Sequence, residues 1–160
     1  MTIQVGDKLP QITVSTMPDE GAKPVSMEEL CAGKKVVLFA VPGAFTPTCS
    51  VQHLPGFVTN VGGLKEKGAD VVACISVNDP FVMSAWGKDR NVGEDVLMLS
   101  DGNAEFTSAI GLEMDGSGFG LGTRSQRYAM IIDDGVGSTL NVENGPALEV
   151  SSAEAILEVL

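Results

Sequence analysis

The sequence predicts an α/β fold in which helices cover both faces of one mixed β-sheet. Three apolar runs, ended by turn or polar residues, are typical of strands buried on both faces, at 36–41, 71–77 and 96–100. Segments with apolar residues at helical spacing separate these runs, which indicates parallel strands joined by crossover helices. A turn at Asp134-Gly135 between two further strand patterns adds an antiparallel hairpin.

The first elements follow from capping and turn residues. The segment 5–18 predicts a short strand with turns. Ser26 with Glu29 three residues later is the pattern of a capping box, so a short helix is predicted to start there. The strand over 36–41 ends at Pro42-Gly43, because neither residue continues a buried strand well.

The middle of the chain predicts two helices around a strand. Apolar residues at helical spacing predict a helix from 54 to 64, in which Pro55 predicts a kink and after which Gly68 ends the helix. The strand over 71–77 follows. Asp79-Pro80 then places a capping residue before a proline at the first helical position, which predicts the start of the next helix.

The last third predicts a short helix, the hairpin and a final helix. The short helix stops near Gly111. The hairpin pairs 128–133 with 139–142, and the final amphipathic helix is predicted to be capped by Ser151 with Glu154. This order is compatible with a thioredoxin-like architecture, although pattern alone supports several α/β folds.

Composition and charge restrict the function. A chain of 160 residues with 44% hydrophobic residues predicts a single packed domain over 1–160. The net charge of -11 excludes nucleic acid and anionic membranes as expected partners, because both are bound through basic patches. The sequence has no apolar run of about 20 residues and no secretory signal pattern, so we expect a cytoplasmic protein.

Three cysteines, Cys31, Cys49 and Cys74, form neither a disulfide framework nor a Cys-x-x-Cys pair. Together with His53 they could supply four metal ligands, but their spacing lacks the paired regularity of zinc sites, so we expect no metal. Cytosolic thiols are normally reduced, which makes chemistry at one of them the hypothesis to test.

Cys49 lies in the segment that carries this chemistry. Thr46 as N-cap and Pro47 at the first helical position place Cys49 in the first turn of a helix that follows a buried strand. There the free N–H groups and the helix dipole favour a thiolate, but a strongly ionised thiol also needs a nearby cation. Arg124 and Arg127 could return to this edge of the sheet and supply one.

Thr46 precedes Cys49 by three residues, the spacing that separates the two cysteines of dithiol reductases at the same strand-to-helix junction. A threonine there cannot form a local disulfide. The pair instead combines one activated thiolate with a hydroxyl group on the same helix face, which suits attack on a small polar electrophile.

The segment Pro42-x-x-x-Thr46-x-x-Cys49 resembles the active-site motif of the peroxiredoxins, and the longer Pro-Gly-Ala-Phe-Thr-Pro-Thr-Cys-Ser resembles their type II, or peroxiredoxin-5-like, branch. The resemblance covers nearly the whole chain and includes the segments 77–86, 122–128 and 141–143. It implies a thioredoxin-like fold.

The resemblance also implies site roles. Cys49 would be the peroxidatic cysteine, Thr46 would donate a hydrogen bond to the peroxide, and Pro42 would shield the pocket from water. The active-site arginine would be Arg127 rather than Arg124. The implied enzyme reduces hydrogen peroxide and small organic hydroperoxides through a sulfenic acid, without a cofactor, forms a homodimer, and is regenerated by thioredoxin or by glutaredoxin with glutathione.

Alternatives remain for the other cysteines and for the histidine. Cys74 matches the position of a proposed resolving cysteine in related bacterial and plant proteins, but it equally fits a small apolar residue in a buried strand. We interpret Cys31 as an incidental thiol and His53 as a structural or interface residue rather than the base of a Cys-His dyad. Trp86 is interpreted as a packing residue.

Three further interpretations concern one loop and the alternative functions. The segment 116–122 predicts a flexible loop that presents Phe119 and Leu121 near the pocket, because it lacks the strand and helix of a phosphate-binding loop. A redox-sensing interaction protein that uses the same cysteine is the alternative function. A cysteine hydrolase would need a base beside Cys49, for which His53 is the only candidate in the sequence.

Overall fold

The computed structural model describes residues 2–18, 20–145 and 147–160. Its centre is a seven-stranded sheet with the order β2-β1-β5-β4-β3-β8-β9. The strands are β1 (Thr13–Thr16), β2 (Lys23–Ser26), β3 (Lys35–Ala40), β4 (Val71–Ser76), β5 (Leu97–Ser100), β8 (Tyr128–Asp133) and β9 (Val136–Val142). β6 (Glu113–Asp115) and β7 (Thr123–Ser125) form a separate two-stranded sheet.

The strand directions confirm the predicted mixed sheet. β3, β4 and β5 are parallel neighbours, as expected for strands connected by helices. β8 runs antiparallel to β3, and β9 runs antiparallel to β8 through the turn at Asp134-Gly135. Most residues of β3, β4 and β8 are buried, which explains why their sequences are apolar runs rather than alternating patterns.

Helices cover both faces of the sheet, as predicted. The helices are α1 (Met27–Cys31), α2 (Leu54–Glu66), α3 (Pro80–Asp89), α4 (Glu105–Ala109) and α5 (Ala153–Val159). α2, α3 and α5 pack on one face together with Cys49 and Cys74, whereas α1 and α4 pack on the other face together with Cys31. Within the described residues, no helix combines the length and the apolar character that crossing a membrane requires.

A π-helical turn, Cys49–His53, directly precedes α2. In this turn the amide of Leu54 donates to the carbonyl of Cys49, five residues earlier. The next residue, Pro55, has no N–H to donate, so the regular α-helical bond pattern could not continue through it. The irregularity predicted at Pro55 therefore takes the form of a wider turn, and that turn contains Cys49.

One prediction in the C-terminal third needs correction. The cap of α5 is Ser152, whose hydroxyl accepts from the amide of Ala155. The predicted cap, Ser151, is wrong by one residue because its hydroxyl donates to Glu143 instead. The loop 116–122 contains a 3-10 turn, Ser117–Phe119, and lies between β6 and β7, which the sequence pattern did not predict.

Candidate active site

Cys49 is fully buried at the edge of the sheet where β3 ends. Its Sγ accepts a hydrogen bond from Arg127 Nη2 at 3.1 Å. Arg127 arrives there because β8 is antiparallel to β3 with Tyr128 opposite Ala40, so the residue before β8 meets the residues that follow β3. Antiparallel pairing thus brings together two side chains that are 78 residues apart in the chain.

His53 connects the same guanidinium to the C-terminal segment. Arg127 Nη1 lies 2.9 Å from His53 Nδ1, and His53 Nε2 lies 2.9 Å from the carbonyl oxygen of Ser151. A guanidinium only donates and a carbonyl only accepts, so the imidazole must be neutral with its proton on Nε2. Burial lowers the pKa of His53 to about 4; the bond to Ser151 opposes this shift and the charge of Arg127 adds to it.

The guanidinium of Arg127 can donate more hydrogen bonds than it makes to the described residues. Its side chain is nearly buried, and its Nε has no hydrogen-bond partner among the described residues. A buried donor without a partner is costly, which is typical of a group that meets a ligand or a developing charge. The free Nε and the two bonded amino groups belong to one rigid planar fork beside Cys49.

Thr46 lies in the turn between β3 and Cys49, and its carbonyl accepts from the amide of Ser50 as an N-cap residue does. Its hydroxyl, however, donates to the carbonyl of Gly43 at 2.6 Å. The single hydroxyl hydrogen is therefore committed within the turn. Toward a molecule in the pocket, Thr46 presents oxygen lone pairs in this conformation rather than the donor that the resemblance implies.

Arg124 holds the other side of this turn and makes no hydrogen bond to Cys49 in the structure. It donates from Nε to the carbonyl of Leu121 at 3.0 Å and from Nη1 to the carbonyl of Pro42 at 3.2 Å. A Cβ atom on Gly43 would lie 2.6 Å from Nη1, so the close crossing requires glycine there. Pro42 is half-buried in this crossing.

The two remaining cysteines lie in different surroundings. Cys74 is fully buried in β4 opposite Phe39, on the same face as Cys49. Burial, and to a smaller degree the proximity of Cys49, raises the pKa of Cys74 well above its ordinary value, while the charge of Arg127 opposes this shift. Cys31 lies on the opposite face, where burial raises the pKa of its thiol to about 11. All three thiols are free.

Several polar contacts around the turn were not predicted from the sequence. Trp86, interpreted as packing, donates from Nε1 to the hydroxyl of Ser50 at 2.9 Å. Asn78 Oδ1 accepts from the amide of Ala44 at 3.0 Å. Two features of the sequence point weakly to such contacts. A buried tryptophan needs an acceptor for its indole N–H. His53 follows Cys49 by four residues, so the two side chains lie one helical turn apart.

The sequence matches the protein family described as Redoxin over residues 4–157. It is also 56% identical over 163 residues to Peroxiredoxin-2E, chloroplastic, of Arabidopsis thaliana, covering 99% of this chain and 70% of that protein. The chain belongs to the redoxin family and is a peroxiredoxin.

Solved structures agree with this assignment. The peroxiredoxin superposes with a TM-score of 0.95 on reduced Prx3 of Vibrio vulnificus in complex with H2O2, at 58% identity over 99% of both chains. It superposes with a TM-score of 0.84 on peroxiredoxin 5 of Alvinella pompejana, at 37% identity over 98% of this chain and 96% of that one. These relatives confirm the thioredoxin-like fold, and the peroxiredoxin is an enzyme that acts on peroxide.

Proposed function

We propose that this peroxiredoxin reduces hydrogen peroxide and small organic hydroperoxides with Cys49 as its nucleophile. The observation that carries the proposal is the hydrogen bond from Arg127 Nη2 to Cys49 Sγ, made between two buried side chains. A buried guanidinium beside sulfur favours the thiolate, which is the reactive form. The complex of reduced Vibrio vulnificus Prx3 with H2O2 also supports the substrate class.

In the proposed step the Cys49 thiolate attacks the terminal oxygen of the peroxide. The S–O bond forms as the O–O bond breaks, so sulfur is oxidised to a sulfenic acid and the peroxide is reduced. The leaving oxygen takes up one proton, which balances the proton that the thiol gave to solvent when it ionised, and departs as water or an alcohol. Thiolate character alone does not make this fast, since nucleophilicity falls as acidity rises, so the breaking O–O bond needs donors of its own.

Three other residues have proposed roles in this step: Arg127, Thr46 and Pro42. Arg127 offers the free Nε and its two amino groups to the charge that develops on the peroxide oxygens. Thr46 accepts a hydrogen bond from the peroxide O–H, because its own hydrogen goes to Gly43, and so orients the substrate. Pro42, held by Arg124, limits the access of water to the pocket.

A thiol reductant must then return the sulfenic acid to the thiol. Thioredoxin, or glutaredoxin with glutathione, supplies two electrons through a mixed disulfide and releases water. Cys74 would take part only if the turn over Cys49–His53 unwinds, because its thiol is buried in β4.

Steady-state peroxide consumption with each reducing system tests this proposal. Cys49→Ser is expected to abolish turnover and Cys31→Ser to leave it nearly unchanged. Turnover by Cys49→Ser at the wild-type rate would refute the nucleophile. One oxidation per thiol without turnover would favour a redox-sensing protein. In Cys74→Ser, loss of turnover after a normal first oxidation would identify Cys74 as the resolving thiol.

We further propose a homodimer through the face that surrounds the pocket. Phe45, Phe81 and Phe119 are all more than half exposed, and Phe45 and Phe119 lie in the two loops that Arg124 joins. Exposed aromatic side chains at one site are typical of protein interfaces. Sedimentation equilibrium of the reduced protein should give twice the 16.6 kDa of the chain, and a monomer at micromolar concentration would refute the dimer.

The cytoplasmic location stays a prediction.

A further inference from the structure

Glu143 follows the last strand of the sheet and is 6% exposed. One oxygen of its carboxylate accepts four hydrogen bonds. Three come from the consecutive amides of Glu149, Val150 and Ser151, at 2.9, 2.9 and 2.7 Å, and the fourth comes from the hydroxyl of Ser151 at 2.6 Å. A single side chain thus fixes the backbone of three consecutive residues before α5.

Within the described residues, no basic side chain lies at ion-pair distance from this carboxylate. The one ion pair among the described residues joins Arg90 and Asp89, so four hydrogen bonds take the place of a counterion at Glu143. Burial raises the pKa of Glu143, but the bonds from Ser151, Glu149 and Val150 outweigh burial and hold the pKa below its usual value. A buried charge of this kind is expensive, so its retention suggests a role beyond holding a loop.

The segment that Glu143 holds is the one that orients His53. The carbonyl of Ser151 accepts from His53 Nε2, and His53 Nδ1 accepts from Arg127 Nη1. The amide of Glu143 also donates to the backbone carbonyl of Arg127 at 2.9 Å. Glu143 is therefore tied to Arg127 twice, once at the backbone and once through Ser151 and His53 at the guanidinium that contacts Cys49.

His53 has two hydrogen-bond partners among the described residues, the carbonyl of Ser151 and the guanidinium of Arg127. Its ring packs against the stacked pair of Phe39 and Phe57, with ring centroids 5.1 and 5.5 Å away. If the carbonyl of Ser151 moved, the N–H of His53 would lose its acceptor in apolar surroundings, at the full cost of an unpaired buried donor. The ring would follow the carbonyl, and the bond to Arg127 would lengthen or break.

We propose that Glu143 is a positioning residue for Arg127, acting through Ser151 and His53. It touches neither the thiol nor the peroxide, and its effect on the reaction passes through the placement of the guanidinium. The inference rests on the proposed roles of Cys49 and Arg127.

The test compares Glu143→Ala and Glu143→Gln with Glu154→Gln. The control removes one negative charge from an exposed residue of α5, outside the hydrogen-bonded chain. Two rates are measured on reduced, folded protein: oxidation of Cys49 by hydrogen peroxide and alkylation of Cys49 by iodoacetamide as a function of pH. We expect Glu143→Ala to slow the oxidation of Cys49 by about 10- to 100-fold, the loss typical of a displaced active-site group. We also expect it to slow the alkylation of Cys49 near neutral pH.

Glu143→Gln keeps an oxygen acceptor but loses the charge, and a neutral acceptor bonds about half as strongly, so an intermediate loss is expected. Glu154→Gln should behave like the wild type. If Glu143→Ala does not fold, Glu143→Gln carries the test. Wild-type oxidation and alkylation rates in the folded Glu143→Gln protein would overturn the proposal.

A double-mutant cycle with Arg127→Met separates positioning from general loosening of the structure. If Glu143 acts through Arg127, each Glu143 variant should add almost nothing to the loss in the Arg127→Met background. Independent, multiplying losses would overturn the proposal. Failure of the proposed function looks different, because wild-type protein would then not be oxidised at Cys49 by peroxide, whereas iodoacetamide would still report the placement of Arg127.

Discussion

Cys49 and Cys74 are both fully buried thiols on the same face of one sheet, yet only Cys49 accepts a hydrogen bond from the guanidinium of Arg127. Cys49 lies at the edge of the sheet, in a π-helical turn, with a guanidinium at hydrogen-bonding distance. Cys74 lies within the central strand β4, where burial disfavours its thiolate and raises its pKa. Burial is the same for both thiols, so it cannot be what distinguishes them.

The difference between the two thiols lies in their hydrogen-bond partners. Cys74 lies in β4 between the ladders with β3 and β5, and no hydrogen bond among the described residues reaches its thiol. At the edge, the chain leaves the ladder and Arg127 crosses from the neighbouring strand. Under the proposed mechanism, Cys49 is reactive because it lies beyond the end of β3, where Arg127 can reach it. Variants of the groups that contact Cys49 should therefore make its reactivity more like that of Cys74.

The largest effect is expected for Arg127→Met, which leaves Cys49 without its charged donor. Oxidation by peroxide should slow by about 100-fold, because both the thiolate and the breaking O–O bond lose stabilisation. Stopped-flow oxidation, compared with the ionised fraction of the thiol from alkylation, measures the two losses separately. A slowing fully explained by lost thiolate would contradict a role for Arg127 in the transition state.

Thr46→Val should slow peroxide oxidation by about tenfold while leaving a titratable thiolate, because it removes a hydroxyl and no charge. Thr48→Val is the matched control, since Thr48 lies in the same turn and makes no capping hydrogen bond with its side chain. The oxidation rate per ionised thiol is the quantity to compare. An unchanged rate in Thr46→Val would remove Thr46 from the proposed mechanism.

A smaller effect, of about threefold, is expected for Arg124→Met, because Arg124 braces the turn at Pro42 and does not contact sulfur. Gly43→Ala should reproduce it, since the added Cβ would displace the Arg124 guanidinium. The double variant should then be no slower than Arg124→Met alone. A loss in Arg124→Met that equals the loss in Arg127→Met would reverse the assignment of the two arginines.

The smallest effect concerns stability at alkaline pH. Cys31 has an ordinary pKa of 9.0, which the fold raises to about 11, so above pH 9 the unfolded chain loses a proton that the folded chain keeps. The free energy of unfolding should therefore fall as the pH rises from 9 toward 11. Urea unfolding across this range should show a shallower fall in Cys31→Ala than in the wild type. Equal slopes would mean that the fold does not protect this thiol from ionisation.

Several features followed from local sequence. Apolar runs predicted the three parallel strands, Asp134-Gly135 predicted the hairpin, and the capping roles of Ser26 and Asp79 are confirmed by bonds to the amides of Glu29 and Val82. Pro47 after Thr46 placed Cys49 in the first turn of a helix. These outcomes depend on residues within a few positions of one another, where backbone sterics and capping act.

The sequence predicted only part of the candidate site. Cys49, Thr46 and Pro42 could be named because they share one short motif, and Arg127 could be named through the family resemblance. The contact of Arg127 with Cys49 depends on the pairing of β8 with β3. The direction of the Thr46 hydroxyl and the crossing of Arg124 over Gly43 also came from packing, because neither side chain has a partner that sequence spacing identifies.

The strands, the turns and the start of the helix that presents Cys49 can be read from the residues alone, because periodicity and capping are local properties. In contrast, the hydrogen bond from Ser151 to Glu143, which replaces the predicted cap of α5, and the hydrogen bond from Arg127 to His53 depend on the folded chain. A buried polar group takes whichever partner the fold brings within reach. That choice depends on chain segments that are distant in sequence and meet only when the sheet is assembled.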